Sequence, residues 1–216
     1  MLGVSLNTSG LVAKLLMNGN ANDCSGNGND FTIVGTPTLI SDEYERANEG
    51  YTFSNNQYIK NDTNNLINLN SDYSILVRFS YSGHIGDTRQ IINIRNTSNN
   101  KGIAVLESWN PTYSGKLYIS SSGDSGSGST NTNGSFLTGW NTLALSCKGD
   151  VISIYLNGLF VGTTTRYDVS NSVVRIAYWN NNPTYTDKIT EVLLYQRAVT
   201  EAEYQIWRLN SQLLEA

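Results

Sequence analysis

The chain has 216 residues, 39% of them hydrophobic, enough for one domain with a genuine core and too little for two well-packed domains of usual size. Only 15% are charged, whereas 28 Asn, 24 Ser and 20 Thr make up a third of the chain; these side chains compete with the backbone for hydrogen bonds, which disfavours a helix-rich protein. A net charge of −4 excludes the dense basic footprint of nucleic-acid or anionic-membrane binders and favours a neutral or weakly anionic partner.

The opening MLGVSLNTSG lacks the basic start and apolar run of a secretory signal, and no stretch reaches the roughly 18 apolar residues of a membrane span, so no membrane insertion is expected. Period-two alternation then predicts short strands at 11–17, 31–34, 57–60, 73–81, 90–94, 102–106, 116–120, 142–147, 151–156, 174–179 and 189–195. The clearest is 73–81, with Tyr73, Ile75, Val77, Phe79 and Tyr81 on one face. Between 120 and 135 the sequence SSSGDSGSGSTNTNGS reads as a mobile hairpin loop, too polar and glycine-rich to pack. Lys148-Gly149-Asp150 and Asn157-Gly158 mark tight turns, so 140–165 should form three consecutive antiparallel strands. Thr200-Glu201-Ala202-Glu203 is a capping box and predicts a C-terminal helix over 200–209. About a dozen strands and one helix imply an all-β sandwich of two antiparallel sheets over a single domain, 1–216. Cys147 falls on an apolar strand face and Cys24 in a polar loop, which predicts two free thiols.

Four segments resemble the laminin-G-like jellyroll, a branch of the concanavalin A-like lectin/glucanase superfamily. They are LVAKLLMNGNANDCSGNGND at 11–30, ANEGYTF at 47–53 with QYI at 57–59, Trp140 and NTLAL followed by IYLNG at 154–158, and ITEVLLYQRAVT at 189–200. The resemblance implies a jellyroll with a concave face often used for sugars, lipids or protein surfaces. Fold does not fix function, because the family includes sugar-binding modules, adhesion domains and phage virion proteins.

The loop 22–30 gathers oxygen ligands around glycines, as Ca²⁺ requires, and the resemblance implies a structural calcium there and at the acidic pair before the last strand. The expected metal residues are Asp23, Asn27 and Glu191; Thr190 stands where the family has Asp. Asp23 and Asn27 equally suit Asx-type turn caps. For carbohydrate, aromatic platforms beside short amides point to Trp109, Tyr113, Trp179 and Tyr185, whereas Trp140 reads as core. No strand carries the paired carboxylates of a retaining glycosidase, Glu43 and Glu45 fall in a polar loop, Glu191 stands alone, and the one histidine, His84, reads as a turn residue, so no catalytic residues are expected. The leading expectation is a non-catalytic module that binds a surface glycan or polymer. A phage virion protein docking on capsid or tail proteins is the alternative, and a glycan hydrolase the third reading. The place of action is extracellular or a virion surface.

Overall fold

A computed structural model describes residues 6–54, 56–83, 90–108, 115–123, 126–178 and 188–213. In chain order the strands are β1 (Leu11–Leu15), β2 (Thr32–Val34), β3 (Thr38–Ile40), β4 (Gly50–Thr52), β5 (Tyr58–Asn61), β6 (Tyr73–Tyr81), β7 (Gln90–Asn96) and β8 (Gly102–Glu107). They continue as β9 (Lys116–Gly123), β10 (Gly126–Ser135), β11 (Gly139–Lys148), β12 (Val151–Leu156), β13 (Leu159–Thr165), β14 (Ser172–Ile176) and β15 (Lys188–Tyr195), and the chain closes with helix α1 (Glu201–Leu213). The strands form two antiparallel sheets, a concanavalin A-like jellyroll sandwich. One has the order β13-β12-β11-β6-β15-β4-β3, with β1 also paired to β15; the other runs β10-β9-β8-β7-β14-β5-β2. One edge of β15 is shared, since β4 pairs with Lys188 and Ile189 while β1 pairs with its far end, from Val192 to Tyr195.

Alternation places the core. Tyr73, Ile75, Val77 and Phe79 of β6, with Leu143, Leu145 and Cys147 of β11, face Ile92, Ile94, Val105 and Ile119 of the other sheet in one buried cluster. Both cysteines are free, and burial pushes the Cys147 thiol up to about 12, which makes it inert. The Asn157-Gly158 turn has both residues at positive φ, 52° and 87°, as a two-residue hairpin requires.

The eight-stranded sheet is apolar on its outer face as well. There Leu76, Ala144, Leu193 and Tyr195 form a second cluster with Val199, Tyr204 and Trp207, and α1 closes it. The approach to the helix is pinned by Ser74 and Ser146, whose hydroxyls bond to Arg197 O at 2.8 Å and Val199 O at 2.7 Å; Val199 N–H donates back to Ser74 at 2.8 Å. The capping box forms as expected: Glu203 N–H donates to Thr200 Oγ1 (3.3 Å) and Thr200 N–H to Glu203 Oε2 (2.9 Å). The helix runs four residues past its expected end, to Leu213.

Two expectations are corrected. Residues 120–123 and 126–135 are strand, not loop: β9 and β10 pair from Ser120–Ser129 out to Gly123–Gly126. The glycines that argued against packing permit it, because Tyr167 lies across the hairpin. A Cβ on Gly123, Gly126 or Gly128 would meet Tyr167 atoms at 2.6, 2.9 or 3.2 Å. Trp140, read as core, is on the outer face of β11. The same alternation that buries Leu143 and Leu145 turns Trp140 outward, opposite Ser80 and 5.9 Å from the Lys188 ammonium.

Ser74→Ala leaves the buried Val199 N–H and Arg197 carbonyl without this partner and is expected to destabilise by about 1–3 kcal/mol, read from urea unfolding. Hydrogen bonds from Arg197, ahead of those from Thr200, hold the Glu203 carboxyl down to about 2. A depressed carboxyl stabilises the fold above its unfolded value and loses that contribution as pH falls through the folded one. The capping contribution is therefore expected to be complete above about pH 4.5 and to be lost progressively as pH falls from there to about 2; Glu203→Gln should remove that pH dependence, measured as urea midpoints across the range.

Candidate functional site

The outer face of the seven-stranded sheet is polar. In β7 the inward Ile92 and Ile94 alternate with Asn93 and Arg95, and Arg175 of β14 lies opposite both Asn93 and Lys60. Tyr58 of β5 and Tyr178, two residues beyond β14, meet with ring centroids 4.6 Å apart at 51°. Between β14 and Tyr178 the chain turns at Ala177, which takes φ 59°, a left-handed conformation costly for a residue with a Cβ. The Ala177 N–H bond to Ile91 O at 2.9 Å holds that turn.

These side chains line a recess of about 160 Å³. Asn93 Nδ2 donates to Gln90 Oε1 at 2.7 Å and to Tyr178 O at 2.8 Å. Gln90 is 1% exposed, and its Nε2 has no hydrogen-bond partner among the described residues. Arg95 donates to Asn100 Oδ1 and Ser120 Oγ, and burial lowers its affinity for the proton. Arg175 is ion-paired to Asp62 at 2.5 Å. A recess this small takes a few hydroxyl or amide groups of a ligand rather than a whole one, so the rest of a ligand would lie along the rim.

The four expected ligand-binding aromatics, Trp109, Tyr113, Trp179 and Tyr185, lie outside the described residues. Trp179 follows Tyr178 directly in the chain. The strand ends beside Trp109 and Tyr113 are joined by Glu107, 2% exposed, whose Oε1 accepts from Tyr81 Oη and Gly115 N–H. Tyr58, Gln90 and Asn93 were not singled out from the sequence, although the Ile/polar alternation of β7 contained the signal.

Asp23 and Asn27 share the Ser25 hydroxyl as a partner, whereas Glu191 is engaged with Lys14 and Trp207. Asp23 Oδ1 accepts from the Lys14 and Ser25 N–H groups, and Oδ2 from Ser25 Oγ and Asn29 N–H. Four donors fill the carboxylate's four acceptor positions. Burial raises the Asp23 pKa, but these hydrogen bonds outweigh it and hold the carboxyl below its usual range. Asn27 Nδ2 donates to Leu11 O at 2.7 Å, tying the loop to β1. Glu191 lies across Lys14, with Oε2 taking the Trp207 Nε1–H at 3.0 Å. No three His, Cys, Asp or Glu side chains among the described residues form a metal-binding group. A calcium ion at Asp23 would have to displace donors already in place.

A family model of the concanavalin A-like lectin/glucanases superfamily matches residues 53–205. The chain belongs to this superfamily. Among solved structures it is similar to the binding domain of Paraclostridial Mosquitocidal Protein 1, with TM-score 0.74 and 16% identity over 97% of this chain and 53% of that one. Domain 4 of AbnA, an extracellular arabinanase from Geobacillus stearothermophilus solved with arabinotriose, has TM-score 0.70 and 20% identity over 90% and 96% of the two chains. The Trypanosoma rangeli sialidase, solved with sialic acid, has TM-score 0.70 and 16% identity over 98% of this chain and 35% of that one. The chain thus spans about half of the mosquitocidal binding domain and nearly all of the arabinanase domain. No curated protein matches the sequence. Among the described residues no helix is long and apolar enough to cross a membrane.

Calcium at about 5 mM is expected to leave the melting temperature unchanged, because a ligand of the native state raises it by mass action and the Asp23 positions are taken. A rise of several degrees, lost in Asp23→Ala, would show that the ion replaces the donors.

Proposed function

We propose that this protein is a non-catalytic module that binds a surface glycan or other polymer outside the cell, using the outer face of the seven-stranded sheet. The observation that carries this reading is the Tyr58–Tyr178 pair set against the Asn93 and Gln90 amides, with the buried Gln90 Nε2 still able to donate. Aromatic rings stack on sugar C–H groups while short amides bond hydroxyls, and neither needs a charged ligand. Trp179 and Tyr185, in the segment that follows Tyr178, and Trp109 and Tyr113, in the segment after β8, are the further aromatic residues this reading assigns to the ligand. The arabinanase domain solved with arabinotriose and the sialidase solved with sialic acid support a carbohydrate partner on this fold. Those enzyme-derived neighbours keep a hydrolase as the third reading, while the virion alternative draws no support from them.

Glycan-array screening followed by affinity electrophoresis tests the proposal. Tyr178→Ala and Trp179→Ala are expected to weaken binding about 2- to 10-fold each, the value of one aromatic stack. Retardation identical to wild type would remove these residues from the site. A stable oligomer without affinity for any glycan would favour the virion role, and polysaccharide turnover would favour the hydrolase.

A further inference from the structure

A second recess lies on the opposite sheet, beside α1. Loop 42–46 is folded on Asp42, 7% exposed, whose carboxylate accepts from the N–H groups of Tyr44 and Arg46 and from Arg46 Nε. This lays Glu43 over β6, where it pairs with Arg78 through Nη1. Neither residue behaves as its sequence setting suggested: Glu43 is largely buried, and Glu191 shares its cavity. A bulge after Ile189 turns Thr190 and Glu191 to the same side of β15. The Arg78 guanidinium stands 5.1 Å from the Trp207 ring, with Nε 3.9 Å from Glu191 Oε2.

The cavity between these elements measures about 530 Å³, within the range of small-molecule sites. A neighbouring one of about 420 Å³ shares Glu43, Tyr44 and Arg78 and is lined by Trp140. Four buried polar atoms at this junction have no hydrogen-bond partner among the described residues: Arg78 Nε and Nη2, Glu43 Oε2 and Thr190 Oγ1. Arg78 is 7% and Thr190 5% exposed. The Thr190 methyl packs toward Gly50, where a Cβ would lie 2.7 Å from it. Groups of this kind are costly unless met by a partner.

A donor on Arg78 beside an acceptor on Glu43 is the complement of a hydroxyl pair, since each hydroxyl can accept and donate. Lys14, Arg46 and Arg78 face Asp42, Glu43, Glu49 and Glu191, an excess of one acid that disfavours an anion, while a cation must compete with Arg78. We propose that this recess binds a neutral, hydroxyl-rich ligand, one or two sugar units, on the sheet opposite the Tyr58–Tyr178 face.

The test is titration with arabinose, xylose, galactose, glucose, mannose and their disaccharides, with glucuronate and glucosamine as charged controls. Binding is followed through the indole N–H signals of Trp140 and Trp207 in proton–nitrogen correlation spectra, assigned with Trp140→Phe and Trp207→Phe. At least one neutral sugar should shift these signals. Thr190→Val, which keeps side-chain shape, and Glu43→Gln should each weaken that binding about 3- to 10-fold, the value of one hydrogen bond. Tyr178→Ala should leave it unchanged, which separates this site from the one proposed above. No shift with any neutral sugar, shifts from charged sugars only, or full affinity in a folded Thr190→Val protein would overturn the proposal and leave the recess to water.

Discussion

The fold depends on a sheet that is apolar on both sides at its centre. Strand β6 sends Ile75 and Val77 into the sandwich and Leu76 out of it, and β11 and β15 repeat the pattern with Ala144 and Leu193. A sandwich buries only inner faces, so this sheet needs a cover, and the chain supplies one in its last described segment. The cover must also arrive at a fixed place. Ser74, Ser146 and the Tyr204 hydroxyl, which bonds to Thr142 O and receives Gly158 N–H, specify that place through polar contacts inside an apolar seam.

One helix cannot cover the whole face, and the sequence changes where it stops. Two residues beyond Leu76 the outward position on β6 is Arg78, a charge tolerable at this depth because Glu43 is brought to it. The opposite sheet follows another rule: among the described residues its outer face carries amides, two arginines and a tyrosine pair. A single sandwich thus has two chemically different exteriors, one charged, the other amide-rich.

The strands were legible because their alternation is strict: 73–81 and 142–147 could be placed, face and all, from the sequence. The short β3 and β4 were not, since three residues carry too little period to stand out. Residues 120–135 were misjudged for a different reason, as their packing comes from Tyr167, more than thirty positions away, and no local pattern announces it. Trp140 faces outward because its strand's alternation, and not its indole, sets its side. The site residues divide the same way. Asp23 reads from the sequence as a calcium ligand or a turn cap, and its four donors are set by the meeting of β1 and the loop, whereas the Arg78–Glu43 pairing crosses 35 positions and has no sequence signature.

The β9–β10 ladder sets Ser opposite Ser and leaves β10 at the margin of its sheet. With no apolar residue on β10 to choose between registers, such a pairing would ordinarily slide. The Tyr167 ring prevents this by reading the strand as a key reads notches: Gly126 and Gly128 fit beneath it, and a slip of one residue would present Ser127 and Ser129 instead. The alternating Gly-Ser composition therefore encodes alignment, and a change in hairpin length is best tolerated at its tip, beyond the seat of that ring.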